Sequence, residues 1–161
     1  MCLRAFVQGV DMTAEQNERM VAGARALGAA FQKVNFLRDL SADFETLGRS
    51  YFPGVNVDSF TDEDKVRLLD DIDADLRTSA AVIPDLPKGS RRAVALAQGL
   101  FAELSARLRR TPASELIRAR VRVPDPVKAR IALGALAGRT PRPRAARPRT
   151  AARPASIGAE S

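Results

Sequence analysis

The chain has 161 residues, of which 45% are hydrophobic and 28% charged, as is ordinary for a single globular domain. It contains no histidine and one cysteine, Cys2, which excludes Ser-His-Asp and Cys-His catalysis and zinc sites built from histidine and cysteine. Its net charge of +7 lies mainly in residues 139–161, where six arginines and one acid leave only +2 for the rest. No apolar run of about 18 residues is present, so we expect a cytoplasmic chain, at most peripheral to the inner face of a membrane.

The chain before residue 139 is a succession of helical patterns without period-two alternation, which predicts an all-α fold. The opening segment, MCLRAFVQGV, is apolar from its first residue and has no N-cap, so we expect it to continue a helix that begins upstream. A long helix is predicted to start after Thr13 and to end at about residue 43 or 44. Further helices are predicted at about 62–82, 90–110 and 126–138, and a short helix is predicted to follow a turn at Thr111-Pro112 and to end at about Ala119. The Arg- and Pro-rich tail, 139–161, is expected to be disordered because it has almost nothing apolar to bury.

Polar residues recur at spacings of three and four along the predicted long helix, in the stretch FQKVNFLRDLSADFETLGRSYFP. At about 100° per residue, one face carries Gln32, Asn35, Arg38, Asp39 and Asp43. The remaining circumference is mostly apolar, so we expect this helix to be buried on most sides and its polar groups to need partners. Asp39 and Asp43 lie one turn apart, and two carboxylates in one cavity suit Mg²⁺ completed by substrate phosphate oxygens.

Small residues continue the same face toward the N-terminus of the helix. Gly28 and Ala24 would leave room beneath the polar rim for a long apolar substrate. From the residues alone, the alternatives stay open. An Asp pair at this spacing also occurs on solvated helices, and small residues also mark close packing between helices.

The stretch ALGAAFQKVNFLRDLSADFETLGRSYFP resembles the second aspartate-rich region of the squalene and phytoene synthase family. The family pattern is roughly Gln-x-x-Asn-x-x-Arg-Asp-x-x-x-Asp followed by Gly-Arg-x-Tyr-x-Pro. Its fixed positions are filled here by Gln32, Asn35, Arg38, Asp39, Asp43, Gly48, Arg49, Tyr51 and Pro53. RVRVPDPVKARIAL is similar to a basic C-terminal region of the family, and the likeness covers about residues 1–138, closest to bacterial phytoene synthases.

The resemblance implies the C-terminal part of the all-helical isoprenoid synthase fold, with residues 1–138 as half of a domain and 139–161 as a tail. It implies a prenyltransferase that condenses two prenyl diphosphates head to head with Mg²⁺, geranylgeranyl diphosphate in the phytoene case. Asp39 and Asp43 would then hold Mg²⁺, with Asn35 and Gln32 beside the reacting head groups. Arg38 would bind the substrate diphosphate or pair with a carboxylate. Arg120 and Lys128 would offset diphosphate charge, or else belong to a solvated basic segment. Gly28 and Ala24 would make room for the hydrocarbon.

The family uses two aspartate-rich motifs on facing helices, and this sequence matches only the second. The segment DDIDADL comes after that motif and spreads its acids, Asp70, Asp71, Asp73 and Asp75, around a helix, so we interpret it as a solvated acidic face. Without the facing motif, the chain alone is expected to have little or no synthase activity. Three interpretations stay open: Met1 is an internal methionine taken for the start, the gene is broken, or the gene is split. In the last case a separate N-terminal half is the expected partner.

A different class of function remains as the alternative, a non-catalytic helical binding module. Its arginine-rich tail would contact nucleic acid or an acidic partner through salt-sensitive, nonspecific attraction. The tail has no aromatic residues between its arginines, so we favour an incidental tail over a nucleic-acid site.

Overall fold

The computed structural model describes Val7, residues 11–47 and residues 60–139, with the side chains of the first helix described as far as Leu40. The helices are α1 (Ala14–Leu47), α2 (Asp62–Ala80), α3 (Lys88–Arg110), α4 (Ala113–Leu116) and α5 (Asp125–Leu136), with a 3₁₀ turn at Ile83–Asp85. No strand occurs among these residues, so the predicted all-α fold is confirmed. The predicted upstream helix, apart from Val7, and the predicted disordered tail lie outside the described residues.

The first two helices both begin with a capping box, in which a threonine and a residue three positions later satisfy each other's backbone donors. The hydroxyl of Thr61 accepts a hydrogen bond from the backbone of Asp64 at 3.2 Å, and the Asp64 carboxylate accepts one from the backbone of Thr61 at 3.1 Å. Thr13 and Gln16 make the same pair of bonds, at 3.2 and 2.9 Å. The predicted starts after Thr13 and at Thr61 are therefore confirmed.

The main hydrophobic core lies where α1, α2 and α3 pack against one another and α4 closes one end. Its buried side chains are Ala30, Val34, Leu37, Leu40, Phe60, Leu69, Ile72, Leu76, Leu104, Leu108, Ala113 and Leu116. On α1 these residues recur every three or four positions, as expected for one face of a helix. The rings of Phe31 and Phe101 stack with centroids 3.7 Å apart and join α1 to α3.

The acidic segment of α2 is bound to its neighbours rather than simply solvated. Lys33, on α1, places its Nζ 2.5 Å from a carboxylate oxygen of Asp71 and 2.7 Å from one of Asp75. Asp73 accepts hydrogen bonds from the Ser105 hydroxyl and from Arg109, both at 2.9 Å and both on α3. The expected solvated face is therefore wrong in part. Asp70 and Asp71 remain largely exposed, whereas Asp73 and Asp75 are mostly covered and hold α2 between its two neighbours.

The last helix, α5, packs against α3 and joins a small cluster made by Ile83, Ala95 and Ala135. Its outer side carries Leu133, which is 67% exposed. No described helix is long and apolar enough to cross a lipid bilayer.

Two glycines of α1 give a matched pair of stability predictions. A Cβ added at Gly23 would lie 2.2 Å from a methyl carbon of Val82, whereas a Cβ at Gly28 would meet nothing within 4 Å. Gly23→Ala should lower the free energy of unfolding by about 1–3 kcal/mol because the stiff, β-branched Val82 has to move. Gly28→Ala should raise it by about 0.5–1 kcal/mol because alanine favours a helix interior. Urea unfolding of both variants tests the pair, and equal effects of the same sign would contradict the packing at Gly23.

Candidate functional site

The centre of the candidate site is the carboxylate of Asp39, about three quarters of the way along α1. Arg38 precedes it, and its long side chain turns back to bind the carboxylate edge-on. Arg38 Nε donates to Asp39 Oδ1 at 3.0 Å and Arg38 Nη2 donates to Oδ2 at 2.7 Å. Neighbouring residues on a helix point about 100° apart, so this contact depends on the reach of the arginine stem. Both side chains are 26% exposed, which places the pair at the surface edge of the core.

A second guanidinium, from a distant part of the chain, contacts the same carboxylate. Arg120 lies in the segment between α4 and α5, and its Nε is 2.6 Å from Asp39 Oδ1. Its Nη2 donates to Oδ2 at 3.4 Å. The next residues, Val121 and Val123, pack against the main core and fix this segment beside α1. The Arg120 side chain itself is 47% exposed.

The two arginines keep Asp39 ionised. Hydrogen bonding and charge from Arg38 lower the pKa of the Asp39 carboxyl below its usual value, and the charge of Arg120 lowers it further. Partial burial acts in the opposite direction but is outweighed. In return, the hydrogen bond to Asp39 raises the pKa of Arg38, whose guanidinium stays charged. The cluster of three groups therefore carries a net charge of +1 at neutral pH.

In this arrangement both oxygens of Asp39 are already in contact with guanidinium groups. A carboxylate offers about four lone-pair positions, and each oxygen of Asp39 already has two guanidinium nitrogens within 3.4 Å. Among the described residues no group of three or more carboxylates or other metal-binding side chains comes together. Asp43 lies on α1, but its side chain is outside the described residues. Mg²⁺ therefore does not fit at Asp39 while both arginines hold it.

The remaining predicted residues of α1 lie along a more open surface than the sequence suggested. Gln32, Gly28 and Ala24 are exposed, and Asn35 is half-buried. The expectation that α1 is buried on most sides is wrong for this strip, because the described neighbours pack against the opposite face. The strip leads along α1 to Asp39 and is open to a ligand or to another segment of protein.

Lys128 does not join the cluster at Asp39. It lies on α5, where its Nζ is 2.8 Å from a carboxylate oxygen of Asp125, one turn earlier on the same helix. Both side chains are more than half exposed. The structure thus brings Arg38 and Arg120 together on Asp39 and leaves Lys128 in a local surface ion pair.

The sequence did not predict the contact between Asp39 and Arg120, which lie 81 positions apart in the chain. It placed Arg120 near the diphosphates but gave no partner for it. The available signal was the segment RVRV, in which the two valines alternate with the two arginines. That alternation places Val121 and Val123 on the core side and turns Arg120 away from it.

Together, the fold and this cluster define an all-helical protein with a carboxylate and two guanidinium groups assembled on its longest helix. The model of the squalene/phytoene synthase family matches residues 1–126, and the chain belongs to this family. The match includes α1 to α4 and Arg120, and it ends two residues before Lys128. Comparison with curated proteins and with solved structures gave no match.

Proposed function

We propose that this chain forms part of a phytoene synthase-like prenyltransferase that condenses two molecules of geranylgeranyl diphosphate head to head. Membership of the squalene/phytoene synthase family supports a prenyltransferase-type activity on prenyl diphosphates. The observation that carries the proposal to this site is the pairing of Arg38 and Arg120 across Asp39. Two guanidinium groups beside one carboxylate form a site with an excess of positive charge, as a diphosphate requires.

The arginines have a direct role in the first step of such a reaction. The bond between the allylic carbon and the diphosphate oxygen breaks, and its electron pair leaves with the diphosphate. Negative charge therefore develops on the leaving group while an allylic cation remains. Arg38 and Arg120 would stabilise that charge through bidentate hydrogen bonds to phosphate oxygens. The double bond of the second substrate then attacks the cation and joins the two chains, which moves the positive charge to the second substrate. Loss of a proton gives a cyclopropyl intermediate that keeps its own diphosphate and then rearranges.

The other roles follow the family resemblance. Members of the family use Mg²⁺, which offsets the charge of diphosphate groups. We assign its ligands to Asp39 and Asp43, on condition that the guanidinium groups make room at Asp39. Gln32 and Asn35 would face the reacting head groups.

The exposed strip of α1 is the proposed path for the hydrocarbon. Ala24 and Gly28 have small side chains, and a Cβ at Gly28 would meet nothing within 4 Å, so a prenyl chain could lie against the helix there. Lys128 would bind diphosphate only after leaving Asp125. The reaction would take place in the cytoplasm or at the inner face of the membrane, where prenyl substrates partition.

We propose that the opposing wall of the site comes from a segment with the family's first aspartate-rich motif. Two observations support this proposal. The open strip of α1 is partly apolar, and among the described residues only α1 offers a wall for the site. The 161-residue chain alone is therefore expected to form little or no phytoene. Coexpression with an N-terminal segment that carries the first motif should restore product formation from geranylgeranyl diphosphate, measured by extraction and chromatography.

Asp39→Asn tests the site within the restored pair and should lower product formation at least 100-fold, since it removes the charge that both arginines bind. Asp85→Asn is the matched control. Asp85 makes a surface ion pair with Arg19 at 3.4 Å, so this variant should keep full activity. Full activity of Asp39→Asn would remove Asp39 from the site. Substantial product from the purified 161-residue chain alone would show that no second wall is needed.

A further inference from the structure

The outer face of α5 presents apolar side chains to water. Ala135 is buried on the side of α5 that packs against α3, whereas Leu133 and Leu136 are 67% and 63% exposed. At about 100° per residue, the two leucines lie about 160° and about 100° around the helix from Ala135. Ala129, which is also exposed, lies between them at about 120°. A surface that covered these three side chains would gain apolar burial.

The C-terminal third of the chain carries its excess of positive charge. Residues 107–161 contain fourteen arginines and lysines and three acids, for a net charge of +11, whereas residues 1–106 have a net charge of −4. On α5 itself, Arg130 is exposed and makes no ion pair with another described residue. Three residues after Leu136, Arg139 begins the segment with six arginines and one acid. Positive charge therefore flanks the two exposed leucines on both sides in the chain.

We propose that the outer face of α5, together with the arginine-rich segment after it, docks on an anionic lipid bilayer. Leu133 and Leu136 enter the boundary between headgroups and acyl chains, while Arg130 and the arginines from residue 139 onward bind lipid phosphates. Stable peripheral binding commonly needs two such signals, one apolar and one basic. The inference does not depend on the reaction proposed at Asp39, because none of these side chains belongs to that site.

A bilayer suits this surface better than a folded protein or a nucleic acid does. Three apolar side chains on one helix cover far less than the roughly 800 Å² that each partner buries in a stable protein interface. A bilayer needs no matching shape, and each arginine near its surface adds to the attraction. A nucleic acid would use the arginines but would leave Leu133 and Leu136 in water. Residues 139–161 also contain no aromatic side chain on which bases could stack.

Flotation of the full 161-residue chain with lipid vesicles tests the proposal. The wild type should float with phosphatidylcholine vesicles that contain about 30% phosphatidylglycerol and should not float with pure phosphatidylcholine. The double change Leu133→Ala and Leu136→Ala should weaken binding at least about tenfold because it removes the apolar contact. Arg130→Gln should weaken it about threefold to fivefold. Val66→Ala is the matched control, since Val66 is 41% exposed but lies on the acidic helix α2, and it should bind as the wild type does.

A tryptophan probe shows directly whether the leucines enter the lipid. The chain has no tryptophan, so Leu136→Trp introduces a single fluorophore of this kind. Its emission should shift to the blue when anionic vesicles are added, and lipids brominated in their acyl chains should quench it. Val66→Trp should show neither change.

Four results would overturn the proposal. Full vesicle binding by the double leucine variant would mean that charge alone holds the chain. Equal binding to pure phosphatidylcholine would mean that the arginines take no part. Blue-shifted emission of Leu136→Trp before lipid is added would mean that a second copy of the chain covers this face. Tighter binding to a single-stranded oligonucleotide than to the vesicles, unaffected by the leucine changes, would assign the arginines to nucleic acid.

Discussion

Replacing Gln98 by glutamate is expected to lower the free energy of unfolding at pH 7 by at least about 3 kcal/mol, although the two side chains have nearly the same shape. Gln98 lies on α3 and is only 2% exposed. Its amide nitrogen donates to the backbone carbonyl of Leu76 at 2.7 Å, and its amide oxygen accepts from the Ser79 hydroxyl at 2.8 Å. A carboxylate there cannot donate to Leu76 and would bring a charge into the interface that holds the end of α2.

The same variant should show a distinctive dependence on pH. Burial raises the pKa of the introduced carboxyl above its unfolded value of about 4.3. The neutral acid can donate to the Leu76 carbonyl again, so the stability relative to wild type is present below pH 4.3 and is lost as pH rises through the folded pKa. Urea unfolding of both proteins at pH 4 and pH 7 measures this change. Gln32→Glu, at an exposed position of α1, is the control and should differ from wild type by less than about 0.5 kcal/mol at either pH. A glutamate tolerated at position 98 at pH 7 would mean that water reaches this interface.

Leu37→Ala should be the most costly truncation on α1, lowering the free energy of unfolding by about 2–5 kcal/mol. Leu37 is fully buried in the main core between α1 and its neighbours. Removing its branched end leaves a cavity two residues before Asp39, so we also expect looser positioning of the carboxylate. Leu133→Ala makes the same chemical change on the outer side of α5, where the leucine is 67% exposed, and should cost less than about 0.5 kcal/mol. A loss below about 1 kcal/mol for Leu37→Ala would contradict the close packing of this core.

The helices could be predicted from the sequence because their signals are local. Capping pairs such as Thr61 with Asp64, and the spacing of apolar residues on α1, act within one or two turns. The sequence predicted the positions of the helix ends less accurately. The helix α1 continues to Leu47, past the predicted residue 43 or 44, and α4 stops at Leu116, three residues before the predicted end. Helix ends depend on tertiary packing as well as on sequence, and this part of the prediction had no local signal to fix it.

The contacts between helices could not be derived in the same way. Lys33 interrupts the apolar face of α1, and nothing in the sequence of this helix gives the reason. In the structure Lys33 binds Asp71 and Asp75, whose i, i+4 spacing places both carboxylates on one side of α2. Pairing a lone cation with a distant pair of acids requires knowledge of which helices are neighbours. That information is absent from the periodicity of either helix.

The candidate site, too, could be predicted from the sequence only in part. The motif on α1 identified Asp39 and Arg38, and the family match over residues 1–126 bears out the resemblance on which the site was predicted. The functional roles of all the candidate site residues stay predictions: Asp39, Asp43, Asn35, Gln32, Arg38, Arg120, Lys128, Gly28 and Ala24. The sequence could not show that two guanidinium groups meet at Asp39, because the number of nitrogens around one carboxylate is set by tertiary structure.

The separation of 81 residues between Asp39 and Arg120 has a consequence for synthesis on the ribosome. At roughly 5–20 residues per second, about 4–16 s pass between the appearance of the aspartate and that of its distant partner. During that interval Arg120 has not yet been synthesised, whereas Arg38, the immediate neighbour of Asp39, is present and can neutralise the carboxylate. The order of the chain thus gives Asp39 its neighbouring counterion first and its distant one last.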